Sequence, residues 1–107
     1  MERKLLVWLG STRDEVRAFP DDARRTAGEA LFRVECGTDP LNWKPMKTIG
    51  SGVREIRIKE ASGAFRVIYL ATRGDKVYVL HAFQKKTEKT TLHDLRLAQE
   101  RFKNIED

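Results

Sequence analysis

The chain has little of what stabilises secreted domains or spans membranes. Among its 107 residues there is one cysteine, Cys36, which excludes an intramolecular disulfide and a zinc site built from several cysteines. No apolar run approaches the roughly 20 residues that a membrane-spanning helix needs. The apolar run near the start stops at Leu9, which is too short for a signal peptide. These absences predict a single cytoplasmic domain over residues 1–107 with one modest core.

The common catalytic signatures are also absent. The sequence contains no HExxH, no glycine-rich phosphate loop before a helix and no CxxC. His81 and His93, the only histidines, would suit acid–base ribonuclease chemistry as a pair. However, His81 has the strand parity of Val79 and Phe83, which is typical of a half-buried residue, and His93 lies beside a helix cap. We therefore expect no conventional two-histidine site.

Carboxylates offer no better catalytic pair. Asp21 and Asp22 suit the first turn of a helix, where their charge opposes the helix dipole. Glu55 lies between Arg54 and Arg57, and we expect it to pair with one of them. A hydrolase built on paired acids is therefore not indicated.

Basic residues, in contrast, are concentrated in the middle of the chain. Residues 44–89 hold 11 basic and 4 acidic side chains, whereas residues 1–43 hold 7 and 8 and residues 90–107 hold 3 and 4. The whole formal charge of +5 therefore arises from a central segment of net +7. A local excess of this kind is typical of a protein that binds a polyanion. A solvated basic face would give the same pattern.

The hydrophobic periodicity predicts an α+β domain of order β-α-α-β-β-β-α. Strands are predicted at 5–9, 53–59, 65–71 and 77–83, and helices at 12–18, 21–36 and from 92 onwards. Short connections make the last three strands an antiparallel meander, which the first strand joins from outside. Ser11 with Asp14 and Thr91 with Asp94 are capping-box patterns for the first and last helices. The two earlier helices form a hairpin whose inner face carries small and aliphatic residues: Ala23, Ala27, Ala30, Leu31 and Val34.

Residues 38–52 are predicted to form a loop, because two prolines and two glycines fall within them. Trp43 is expected to anchor this loop, from which Lys44 and Lys47 project. Arg66 interrupts an otherwise apolar strand, where a guanidinium needs a partner, water or a ligand. Alternation alone does not decide whether Arg66 and Arg57 face the same side of the sheet.

Three motifs together resemble the RelE/ParE toxin superfamily, and most closely its HigB-like, phage-derived branch. They are GVREIRI at residues 52–58, FRVIY at 65–69 and VLHAFQKKT at 79–87. The resemblance implies a RelE-like fold and a toxin of a type II toxin–antitoxin pair. It implies a ribosome-dependent endoribonuclease that cleaves mRNA, inhibits translation and arrests growth. The implied partners are a helix-turn-helix antitoxin in a hetero-oligomer, the ribosome and mRNA; no membrane, metal or cofactor is implied.

By position in these motifs, Arg66 resembles the family's phosphate-contacting arginine. Lys85 or Lys86 resembles the basic residue that ends the last strand, and Arg57 the basic position on an earlier one. The resemblance thus implies catalytic roles for these four residues. Four further residues are candidates for RNA or ribosome binding: Lys44, Lys47, Lys59 and His81.

Two other functions remain open at this point. A minority of the superfamily, the ParE-like members, poison DNA gyrase by protein–protein interaction without cleaving RNA. A domain that only binds a partner is the third possibility. Intact transcripts together with double-strand DNA breaks would favour the gyrase poison.

Overall fold

Three helices and five strands follow one another in the computed structural model, which describes residues 3–105. The strands are β1 (Leu5–Trp8), β2 (Trp43–Pro45), β3 (Val53–Glu60), β4 (Gly63–Leu70) and β5 (Lys76–Lys85). The helices are α1 (Thr12–Arg17), α2 (Asp21–Glu35) and α3 (Leu92–Lys103). The predicted α+β class is confirmed, and the element order differs only by β2.

One sheet of order β1-β5-β4-β3-β2 contains all of these strands. The predicted antiparallel meander of β3, β4 and β5 is confirmed. As expected, β1 joins from outside the meander, and it lies parallel to β5, so the sheet is mixed. β2 lies in the stretch that was predicted to be a loop and pairs antiparallel with β3. A strand of three residues is too short to produce a detectable alternation of apolar residues.

The helices cover the two faces of the sheet. On one face, the buried small and aliphatic residues of α2 and Val16 of α1 pack against Ile56, Val67 and Val79, as the inner-face prediction requires. On the other face, α3 packs through Ala98, which is fully buried, against Ile68 and Leu80. This second face is the one that also carries the charged side of β3.

Only one of the two predicted capping boxes is present. The Thr91 hydroxyl accepts a hydrogen bond from the Asp94 amide at 3.2 Å, which confirms the cap of α3. The Ser11 cap was wrong, because the Ser11 hydroxyl makes no cap hydrogen bond and instead donates to Glu15 Oε2 at 2.7 Å. Glu15 draws this hydroxyl into a polar cluster that joins α1 to α3.

A tight β3–β4 hairpin fixes the register on which the charged face depends. Glu60 pairs with Gly63, so only Ala61 and Ser62 lie in the connection. Gly63 has φ +135°, a conformation that side-chain-bearing residues rarely adopt. Counting back along both strands from this turn, Arg57 falls directly opposite Arg66.

None of the helices within residues 3–105 is long and apolar enough to cross a bilayer. The longest of them, α2, has 15 residues.

Candidate functional site

Five cationic side chains share the face of the sheet on which α3 packs. Residues directly opposed in an antiparallel pair lie on one face, and so do alternate residues of each strand. Arg57 is paired with Arg66, Lys59 and Lys85 are both paired with Ala64, and Lys44 is paired with Glu55. Neighbouring cross-strand residue pairs of the sheet therefore carry five cations on one face. We call this surface the basic patch: Lys44, Arg57, Lys59, Arg66 and Lys85.

A buried carboxylate lies among these cations. Glu55 is fully buried, and its Oε1 lies 3.4 Å from Arg66 Nε and 3.9 Å from Lys44 Nζ. Its Oε2 accepts a hydrogen bond of 3.4 Å from the Thr90 hydroxyl, just before α3. Glu55 thus links β3 to β4, to β2 and to the segment that follows β5.

The expected pairing of Glu55 with Arg54 or Arg57 was wrong. Arg54 points to the opposite face, where it lies over the Trp43 ring and contacts Asp39 at 2.7 Å. Residues adjacent in a strand cannot face each other, since successive side chains alternate. Glu55 instead reaches diagonally to Arg66 on the neighbouring strand.

Arg66 is held in a fixed position at the centre of the patch. It is only 7% exposed, and its guanidinium donates to the Phe65 carbonyl at 3.0 Å. Burial lowers the pKa of Arg66; Glu55 opposes this and Arg57 adds to it. Burial therefore outweighs the attraction of Glu55, and an anion that binds beside Arg66 would stabilise its charged form.

A shallow pocket adjoins Arg66 at the outer edge of β3. Its volume is about 260 Å³. Its walls combine three basic side chains with an amide and two apolar residues: Arg57, Lys59, Arg66, Asn42, Ile58 and Ala64. We call it the basic pocket. An anion placed there meets a buried guanidinium and the exposed side chains of Arg57 and Lys59 together.

The electrostatics of the patch act most clearly on Lys85. Partial burial lowers the pKa of Lys85, the positive charges of Arg66, Lys44 and Arg57 lower it further, and Glu55 raises it. A lysine in this state gives up its proton more readily than an exposed one.

The other predicted site residues lie at different distances from this centre. Lys86 is exposed and follows the last residue of β5, with the strand parity opposite to that of Lys85. Lys47 is exposed in the turn that joins β2 to β3, at the Val53 end of β3, whereas the basic pocket lies toward the Glu60 end. The structure therefore brings Lys44 and Lys59 to Arg57, Arg66 and Lys85, and leaves Lys47 apart.

His81 does not belong to the exposed basic surface. It is 4% exposed, stacks on Phe83 and lies 2.7 Å from Asp94 and 3.3 Å from Glu15. Arg101 approaches Nδ1 of His81, the ring nitrogen that also contacts Glu15, at 3.3 Å. Because its ring nitrogens are occupied inside the fold, His81 connects β5 with α1 and α3 rather than presenting itself to RNA.

Glu15 is the anion at the centre of that polar cluster. Its burial alone would raise the pKa of Glu15, yet hydrogen bonds from His81, Arg101, Ser11 and the Ala82 amide hold this pKa well below its usual range. The folded state therefore favours the ionised form of the Glu15 carboxylate. Glu15 stabilises the fold whenever this carboxylate is charged.

We expect Glu15→Gln to lower the free energy of unfolding by about 2 kcal/mol at neutral pH, because charge-assisted hydrogen bonds are lost. The contribution of the carboxylate is complete above the ordinary glutamate pKa of 4.5 and is lost as the pH falls toward its depressed folded value. Urea unfolding of both proteins over acidic and neutral pH should show the difference shrinking in acid. Glu29→Gln, on the exposed side of α2, is the control; an equal loss there, or a difference independent of pH, would contradict this account.

Glu55, Thr90 and Asn42 are the residues at this site that sequence reasoning missed. One signal for Glu55 was available: a carboxylate at an inward-facing position of β3, next to a strand whose apolar run is broken by a single arginine. Within residues 3–105, no cluster of His, Cys, Asp and Glu is arranged to hold a metal ion.

One comparison with known proteins is informative. The family model described as "Phage derived protein Gp49-like (DUF891)" matches residues 14–103, a span from α1 to the end of α3 that contains the whole basic patch. The curated proteins contain no match to the chain.

Proposed function

The chain belongs to the Gp49-like family of phage-derived proteins, which is RelE-like and toxin-like, and on that premise we propose that it is a toxin that cleaves mRNA on the ribosome. The observation that carries the proposal is the pairing of Arg57 with Arg66, flanked by Lys59 and Lys85. We place its action in the cytoplasm, where a helix-turn-helix antitoxin neutralises it. We also propose that it belongs to the HigB-like branch of the superfamily, which its three sequence motifs resemble.

The proposed reaction is attack of an RNA 2′-hydroxyl on the adjacent phosphorus. A P–O bond forms to the 2′-oxygen while the bond to the 5′-oxygen breaks, which leaves a 2′,3′-cyclic phosphate and a free 5′-hydroxyl. Negative charge accumulates on the phosphoryl oxygens as the phosphorus becomes pentacoordinate. Arg66 and Arg57 stabilise that charge, and a guanidinium offers two parallel donors to one phosphate.

Lys85 is the proposed proton donor to the departing 5′-oxygen, and the 2′-hydroxyl proton passes to water. A lysine whose pKa is lowered is better matched to such a transfer than an ordinary one. Lys59 and Lys44 hold the flanking phosphates, while Lys86 and Lys47 contact RNA or ribosome further from the reacting bond. Glu55 is buried, so its role is to position Arg66.

The test is induced expression of the chain in a bacterial host. We expect growth arrest and cuts in mRNA that map by primer extension to translated regions. Purified chain should cut the same message on ribosomes and leave it intact without them. Uncut transcripts accompanied by double-strand DNA breaks would overturn the proposal in favour of a gyrase poison, and the absence of both would indicate a domain that only binds a partner.

The pH dependence of cleavage tests the role of Lys85. If its ammonium form donates the proton, cleavage declines as the pH rises through the lowered pKa of Lys85, earlier than an ordinary lysine would allow. Removing the nearby positive charge with Lys44→Gln should raise the pKa of Lys85 and move this alkaline decline to higher pH. Single-turnover cleavage of ribosome-bound mRNA measures the profile. Lys47→Gln, at the far end of β3, should leave it in place; identical profiles for Lys44→Gln and wild type would remove Lys85 from the role.

A further inference from the structure

An apolar groove lies between α2 and the outer edge of the sheet. Its volume is about 530 Å³, and apolar surface predominates in its walls. Two of the large apolar side chains that are exposed to solvent lie in it: Phe32 on α2 is 49% exposed and Leu41 is 86% exposed. Gly28 leaves its floor open, since a Cβ there would meet nothing within 4 Å. Exposed apolar surface gathered in one groove is typical of a binding site.

The groove continues into the basic pocket. Asn42 and Arg57 line both cavities, so the two form one trough that passes around the edge of β3. We call this the edge trough. One of its ends offers apolar contact and the other offers the guanidinium groups of Arg57 and Arg66.

The edge trough also contains unpaired strand edge. β2 covers β3 only from Arg54 to Ile56, and the Arg57 amide donates to the Asn42 carbonyl at 2.9 Å. From Ile58 to Glu60, no described strand lies on this side of β3. A free strand edge is a template for backbone pairing with another polypeptide.

We propose that the edge trough receives the neutralising segment of the antitoxin, a peptide with apolar side chains for the groove and a carboxylate for the basic pocket. This inference rests on the proposed function. An occupant of that kind places its carboxylate where the scissile phosphate would bind, so that neutralisation and catalysis exclude each other.

A peptide suits the edge trough better than RNA does. The charged lining of the groove mixes the Glu29 carboxylate with Arg33 and Arg57, so it is less uniformly basic than the lining of the basic pocket. The groove walls include Ala30, Leu41 and Ile56, which match aliphatic side chains rather than sugars and phosphates. The free β3 edge presents backbone groups that another polypeptide backbone can pair with in register.

The experiment uses purified full chain and, as the probe, the protein encoded by the adjacent reading frame. Calorimetry should show that Leu41→Asp weakens binding by about tenfold or more, because a charge replaces an apolar anchor. Leu92→Asp is the matched control: Leu92 is 59% exposed at the start of α3, on the other face of the sheet, and its replacement should leave the affinity unchanged. Arg57→Gln should weaken binding and reduce its dependence on salt.

Co-expression gives the cellular result. Leu41→Asp should still arrest growth and escape neutralisation, whereas Leu92→Asp should arrest growth and remain neutralised.

Equal binding by wild type and Leu41→Asp would overturn the docking proposal alone and leave the toxin proposal standing. A probe that neither binds nor neutralises the wild-type chain would overturn the antitoxin partnership and the docking proposal together. If Leu41→Asp loses affinity for a short RNA oligonucleotide and keeps it for the probe, the occupant is RNA and the peptide proposal fails.

Discussion

Arg66→Gln is expected to abolish growth arrest and to reduce ribosome-dependent mRNA cleavage by about 10²–10³-fold, the usual consequence of removing one fixed donor to a developing oxyanion. The basis is that Arg66 is anchored: it is almost completely buried, bound to the Phe65 carbonyl and 3.4 Å from Glu55. A pre-positioned cation stabilises the transition state without reorganising. Single-turnover cleavage of ribosome-bound mRNA measures the loss.

Two further variants separate the geometry of this cation from its charge. Arg66→Lys keeps the positive charge and loses the planar fork, so we expect it to recover only a small part of the activity. Arg25→Gln removes an arginine on α2, exposed and paired with Asp22, and should leave cleavage unchanged. Thermal unfolding establishes that each variant is folded. Full activity in folded Arg66→Gln would show that the phosphate site has been assigned to the wrong residue.

Much of the fold could be predicted because the signals for it are local. Two apolar runs broken only by Arg66 and His81 predicted the strands β4 and β5, and the recurring small residues predicted the buried side of α2. β2 was missed because it has only three residues, too few for a detectable alternation, and because it ends in Pro45, a residue that is uncommon in strands. The Ser11 cap was wrong for a different reason: Arg101, far along the chain, binds Glu15 and thereby diverts the Ser11 hydroxyl.

The residue types of the site could be predicted from the sequence, whereas their arrangement in space could be predicted only in part. That Arg57 and Arg66 face each other depends on the length of the hairpin turn, which alternation along either strand does not specify. The partner of Glu55 depends on the same register, so a local pairing with Arg54 or Arg57 was the wrong expectation. The strand parity of His81 already indicated a half-buried residue, and the packing of α1 and α3 around it completes its burial.

The arrangement suggests why a carboxylate lies beneath the basic patch. Five like charges on adjacent rungs repel one another, and opposed like charges in a sheet are destabilising. Glu55 reduces that repulsion at Arg66 and Lys44 from a position that water and substrate do not reach. The patch can therefore remain strongly cationic at its surface while Arg66 stays fixed.

Glu55→Met is expected to lower the free energy of unfolding by about 3–5 kcal/mol, because it leaves Arg66 buried without its ionic partner. Arg66→Met should also be destabilising, because it leaves the buried carboxylate with Lys44, 3.9 Å away, as its remaining ionic partner. The double variant should recover most of this loss, since a buried ion pair replaced by apolar side chains of similar size is commonly neutral or stabilising. Urea unfolding of the four proteins gives the coupling free energy as a double-mutant cycle.

The activity of the same four proteins decides what the pair is for. We expect the double variant to be folded, stable and unable to cleave mRNA, since it lacks the central cation. Glu55→Met should keep some activity, because Arg66 is present and only its position is less fixed. A double variant as unstable as either single one would show that the pair is needed by the fold itself. If stability returns and cleavage does not, then Glu55 and Arg66 are maintained for their chemistry, at a site where two methionines would serve the fold equally well.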